Sequence, residues 1–127
     1  MALSTDLAPP TLAVHCNQVT LVGRLAADPL ERTLPSGDLL VDFRVIVDRP
    51  QRRRTGDRSR ARIDTLDCVA WTSRLRRQVG AWDAGDVVEV TGSLRRRFWR
   101  AASGAAASRY EIEVDQARKV RRVTMAQ

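Results

Sequence analysis

Apolar and polar positions alternate along five stretches of the chain, and one stretch between them changes period. In "NQVTLVGRLAADP", Val19, Leu21, Gly23 and Leu25 share one face and Thr20, Val22 and Arg24 the other. That is the two-residue period of a half-buried strand. Gly23 inside the run predicts a bend or bulge, useful where a sheet must curl. "LLVDFRVIVDR" repeats the pattern, with Val41, Phe43, Val45 and Val47 against Asp42, Arg44, Ile46 and Asp48. In "IDTLDCVAW", Leu66, Cys68 and Ala70 form the predicted core face, and Ile63, Thr65, Asp67, Val69 and Trp71 the opposite one. "VVEVTGSLRRRFW" and "RYEIEVDQARKVRRV" supply two more strands, the last broken around residues 115–118.

The change of period falls in "TSRLRRQVGAWDAGD", where Leu75, Val79 and Trp82 are spaced along one helical face. Thr72 or Ser73 would cap the start of this helix, and Gly85 lies near its stop. Trp82 therefore belongs to the core. "DPLERTLPSGD" reads as turn, the segment after Trp99 as a mobile hairpin, and "RPQRRRTGDRSRAR" (49–62) as a long polar hairpin tip. Residues 1–15, with "APP" and no period, read as a flexible arm, residues 16–123 as the folded domain and 124–127 as a short tail. Three short strands, a helix and two strands, with a bent first strand, fit an all-β, five-stranded barrel of the OB type better than a sandwich. No internal repeat and no dinucleotide- or phosphate-loop spacing interrupts this order.

A chain of 127 residues fits one domain and can bury a core without staples. It has no apolar run long enough for a membrane helix. Its first residues lack the basic start and continuous apolar run of a secretory signal. Cys16 and Cys68 make no disulfide framework, which points to a reduced cytoplasmic protein. Charge changes the picture more. A net charge of +7 favours a polyanion, either nucleic acid or an anionic membrane surface. Lys119 is the sole lysine among 22 basic residues, a bias that a GC-rich genome alone could produce. Position, not total charge, must locate a site.

Catalytic chemistry finds little support. His15, the one histidine, sits beside Cys16 near the predicted arm. A nucleophilic Cys–His pair needs spatial apposition and an orienting group. One histidine and two scattered cysteines cannot enclose a structural zinc ion. Asp64, Asp67, Asp83 and Asp86 lack calcium-loop spacing. No catalytic residue, metal or cofactor is expected. Single-stranded nucleic acid suits the residues better, because it needs cations along its backbone and aromatic planes for its bases. Arg95, Arg96, Arg97 and Arg100 surround Phe98 and Trp99. Trp71 ends the third strand on the face away from the predicted core. The 49–62 loop carries Arg52, Arg53, Arg54 and Arg62 among its arginines. Each feature has a structural alternative: Trp71 as barrel-end core, Phe98 as a buried anchor beside a free Trp99, and the loop as a solvated charge run.

At these residues the chain resembles the bacterial single-stranded DNA-binding protein family. "NQVTLVGRLAADPLERTLPSGDLLVDFRV" shares the family's opening order of Asn-x-Val, Val-Gly-x-Leu, Asp-Pro, Arg and Pro-x-Gly. "CVAWTSRL", "GDVVEVTGSLRRRFW" and "RYEIEVDQ" resemble its third-strand exit, fourth strand and fifth strand. The resemblance implies an OB fold, a homotetramer, and a partner in single-stranded DNA, coated without sequence preference during replication, recombination and repair. It implies a cytoplasmic, nucleoid-associated protein with no membrane role. Trp71 and Trp99 match family stacking positions, and Arg32, Arg95 and Arg97 match basic positions. With the residues read directly, the expected interface is Trp71, Trp99 and Phe98 for bases. Arg24, Arg32, Arg44, Arg52, Arg53, Arg54, Arg62, Arg95, Arg96, Arg97 and Arg100 are expected to serve phosphates. The chain departs from the family near Gln51 and at Thr65, where aromatics are common. It ends in "ARKVRRVTMAQ" where the family has a tail with an acidic tip, so recruitment of repair enzymes by such a tip is not expected and a specialised paralogue fits. Two alternatives stay open: a primosomal or RNA-binding OB protein, and an adaptor subunit that pairs with a full-length family member.

Overall fold

The computed structural model describes residues 14–50 and 62–122, and within them the alternating stretches are strands. The elements are β1 (Val19–Leu25), β2 (Leu30–Thr33), β3 (Leu39–Asp48), β4 (Ile63–Ala70), α1 (Ser73–Gly80), β5 (Val87–Arg100) and β6 (Ala106–Arg121). β1 pairs with β5, β5 with β6, and β4 with β3, all antiparallel, while β6 and β4 run parallel. β3 then returns to β1 through Arg24↔Ile46 and Leu25↔Val45. That last pairing closes a five-stranded OB-type barrel.

The core is the inward face of each strand. Leu25, Val41, Phe43, Val45, Cys68, Ala70, Val88, Val90, Ile112 and Val114 are buried together. Helix α1 adds Leu75 and Val79. The Thr72 hydroxyl caps it by accepting the Leu75 N–H at 3.2 Å, which satisfies one orphan donor of the first turn. Trp82 is buried as expected and meets Phe43 edge-on, with ring centres 5.8 Å apart. The buried Asp86 carboxylate accepts the Asp83 N–H and pairs with Lys119 at 3.3 Å.

Three features depart from the sequence reading. Leu30–Thr33 is a strand, not part of a turn. Gly37, at φ 93°, folds it back onto β3 from Leu30↔Asp42 to Thr33↔Leu39. All four of its residues are exposed, so no burial period marks it in the sequence. The predicted break in the last strand is a bulge. Thr91 pairs with Gln116 but Gly92 with Val114, which leaves Asp115 as the extra residue. The fourth strand does not end at Trp99. β5 and β6 stay paired as far as Arg100↔Ala106, and a tight turn closed by the Ala101 N–H on the Ala105 carbonyl joins them. The two strands therefore project beyond the barrel as an arm. Beyond Ser93, every β5 residue except Arg97 is exposed.

Candidate nucleic-acid interface

Directly opposed residues of an antiparallel pair project to the same side. In the arm, Arg95↔Glu111, Arg97↔Arg109 and Trp99↔Ala107 define one side, and Arg96↔Tyr110 and Phe98↔Ser108 the other.

The first side is dominated by a buried carboxylate. Glu111 is only 3% exposed and accepts from Arg97 and Arg109. Arg97 extends over Trp71, with its guanidinium carbon 4.9 Å from the ring centre. The Trp71 Nε1–H is buried and has no partner among the described residues. Nearby, Arg32 holds Asp42 through two N–H donors at 2.7 and 3.3 Å. That hydrogen bonding raises the Arg32 pKa above its ordinary value. Arg32, Leu40, Asp42, Arg97, Trp99 and Glu111 are among the residues lining a groove of about 560 Å³, which Phe98 also borders. On the second side Arg96 lies between the Phe98 and Tyr110 rings.

Five of the eight expected phosphate-binding arginines among the described residues already hold carboxylates. Arg24 pairs with Asp48, Arg32 with Asp42, Arg44 with Asp67, Arg95 with Glu113, and Arg97 with Glu111. Arg100 donates to the Gly104 carbonyl at 2.8 Å. Arg62 is exposed, and its carbonyl accepts the Arg49 N–H. Arg49 itself holds Asp64, and that hydrogen bond keeps the Asp64 carboxyl below the usual carboxylate range. Arg52, Arg53 and Arg54 lie outside the described residues. The exposed pairs among these contribute about 0–1 kcal/mol each, so a phosphate can compete for those guanidiniums; Arg97 is the exception, because its partner Glu111 is buried.

One expectation about the aromatics needs correction and one alternative falls away. Trp71 was expected to face outward as an open platform, but it is half-buried and Arg97 covers one ring face. Its neighbours Leu40 and Val69, on the outer side of the sheet, are as deeply buried as the core. Phe98 is an expected base contact, and the structure removes its alternative as a buried anchor beside a free Trp99. Phe98 is the more exposed of the two, at 71% against 48%. The face of β5 that is core at Val88 and Val90 has no opposing layer once the strand leaves the barrel. Sequence reasoning also missed Tyr110, 57% exposed. The alternation of "RYEIEV" puts it in line with the core residues Ile112 and Val114, and only the hairpin register reveals that it stands opposite Arg96.

The buried Cys68 is a poor nucleophile. Burial, then the nearby carboxylates of Asp67 and Glu111, pushes the Cys68 thiol up to about 12. Among the described residues no group of three or more His, Cys, Asp or Glu could hold a metal ion. No helix among them is long and apolar enough to cross a membrane.

The Glu111 pairs make a prediction. Glu111→Gln keeps the shape but removes the charge that Arg97 and Arg109 share. Stability should fall by about 1–3 kcal/mol, because a charged hydrogen-bond partner is lost from a buried site. Any single-strand binding should become more salt-sensitive, its log–log slope steeper by about 0.7 for each arginine released to a phosphate. Chemical denaturation and a salt series would test both. An unchanged slope would show that Glu111 does not compete with phosphate.

A closed five-stranded barrel with one helix between β4 and β5, carrying an arginine- and aromatic-bearing arm, defines an OB-fold protein. The single-strand binding protein family matches residues 16–121, and the chain belongs to that family. It is 30% identical over 99 residues to the single-stranded DNA-binding protein of Oceanobacillus iheyensis, covering 78% of this chain and 60% of that one. To that of Mycobacterium tuberculosis it is 31% identical over 99 residues, covering 77% and 60%. The chain thus spans about three-fifths of the length of these relatives. Its fold is similar to that of the Plasmodium falciparum SSB in complex with ssDNA, with a TM-score of 0.72 at 21% identity, covering 84% of this chain and 96% of that chain.

Proposed function

We propose that this chain is a non-catalytic protein that binds single-stranded DNA without sequence preference, protecting it in replication, recombination and repair. The observation that carries the reading is the first side of the arm. There a large, half-exposed indole, Trp99, stands near Arg32 and Arg95, whose exposed carboxylate partners a phosphate can replace. Relatives bearing the name single-stranded DNA-binding protein support it. In this reading bases stack on Trp99, Trp71 contributes beneath Arg97, and Arg24, Arg32, Arg44, Arg62, Arg95, Arg97 and Arg100 carry the backbone. Arg52, Arg53 and Arg54 of the 49–62 loop would extend that path. The domain is residues 16–123, it assembles as a homotetramer, and it works in the cytoplasm at the nucleoid.

Titration with poly-dT tests the proposal. Tryptophan emission should be quenched at low salt, and affinity should fall with salt with a slope of about −0.7 per phosphate contacted. Emission that stays unquenched at low salt would rule out stacking. A clear preference for RNA or duplex over poly-dT in competition would favour an RNA-binding OB protein instead.

A further inference from the structure

The two sides of the arm differ in how their charge is balanced. On the Trp99 side, Arg95, Arg97 and Arg109 are matched by Glu113 and Glu111. On the other side, Arg96 has no carboxylate partner among the described residues. It donates to the Ser108 hydroxyl at 3.2 and 3.3 Å. Its guanidinium carbon lies 5.0 Å from the Phe98 ring centre and 5.3 Å from that of Tyr110. Both rings are more than half exposed, and Leu94, next along the same face of β5, is also exposed. A row of large exposed side chains around an uncompensated cation marks a surface that something covers.

The chemistry of the row selects the occupant. A second copy packed with its two-fold axis through this row would set Arg96 near its own equivalent, with no carboxylate among the described residues of this side to receive either, an arrangement that costs energy. A single nucleic-acid strand satisfies every group: its phosphates take the Arg96 N–H donors, and its bases take the two ring faces. The flanking rings also hold the guanidinium in place, so less side-chain freedom is lost when a phosphate arrives.

We propose that Phe98, Arg96 and Tyr110 form a second base-stacking face, so that single-stranded DNA passes over the edge of the arm and grips it on both sides. This rests on the single-stranded DNA reading above, and the experiment separates the two. Wild-type protein is photocrosslinked to an iodouracil-substituted oligo-dT and the adducts are mapped by mass spectrometry. In parallel, the Phe98→Ala/Tyr110→Ala double variant is titrated with long poly-dT, and its assembly state is measured by light scattering. Adducts at Phe98 or Tyr110 are expected. So is at least about a tenfold loss of affinity in the double variant, as two stacking planes are gone, with tryptophan quenching still reached at saturation. Adducts confined to Trp71 and Trp99, with affinity unchanged, would overturn the second face and leave the single-stranded DNA reading standing. A double variant that dissociates into smaller assemblies with affinity unchanged would show the row to be a protein interface. If the wild type shows neither quenching nor adducts, the single-stranded DNA reading itself fails and the second face with it.

Discussion

Gly23→Ala and Gly92→Ala should each destabilise the fold by about 3 kcal/mol or more, whereas Gly80→Ala should stabilise it by about 0.5–1 kcal/mol. The first two glycines are needed for space, since neither has a positive φ. A Cβ on Gly23 would lie 2.2 Å from the Ile46 carbonyl oxygen, and one on Gly92 would lie 2.0 Å from that of Glu113. Both obstacles are backbone of a neighbouring strand. Ile46 cannot retreat without opening the Arg24↔Ile46 pairing that closes the barrel. Around Gly92 the ladder is already irregular, with Asp115 as the extra residue on β6. Gly80 is the reverse case. It ends α1, nothing lies within 4 Å of its absent Cβ, and alanine removes the entropy cost of glycine in a helix. In thermal melts followed by circular dichroism, the first two variants should lose about 10 °C or more, at roughly 4 °C per kcal/mol for a domain of this size. A melt of Gly23→Ala close to wild type would mean that β1 and β3 can close the barrel without this near contact.

The same glycine shows how far the sequence reaches. A glycine within an alternating strand predicted curling, and Gly23 stands where the sheet closes on itself. The core faces of β1, β3 and β4, the Thr72 cap and the burial of Trp82 were legible for a similar reason. Each is set by neighbours a few residues away. What needed the third dimension was the partner across the sheet. Asp42, Asp48, Asp67, Glu111 and Glu113 are ordinary polar positions in the sequence, yet each holds an arginine that looked free. Phe98 and Tyr110 follow the core period, so alternation alone would bury them. The length of the arm past the barrel exposes them. Leu40 and Val69 sit on faces that alternation turns outward, and yet they are buried.

Trp99→Ala should weaken poly-dT binding by about ten- to a hundredfold, the loss of one stacked base, with little change in melting temperature. Trp71→Ala should do the opposite, costing stability first and affinity second. The difference lies in burial. Trp99 is half-exposed on an arm outside the barrel, so removing it opens no cavity. Trp71 is half-buried beneath Arg97, beside the fully buried Val69 and with its Nε1 enclosed. Its loss leaves a void and removes the ring that seats Arg97 above Glu111, a large-to-small change that costs about 3–5 kcal/mol when burial is complete and less here. Each substitution removes part of the intrinsic signal, so affinity is best read from the anisotropy of a dye-labelled oligomer, and stability from separate melts. If Trp71→Ala abolishes binding at unchanged stability while Trp99→Ala binds normally, Arg97 must swing off the Trp71 ring when DNA arrives. The stacking plane would then be the covered tryptophan and not the open one.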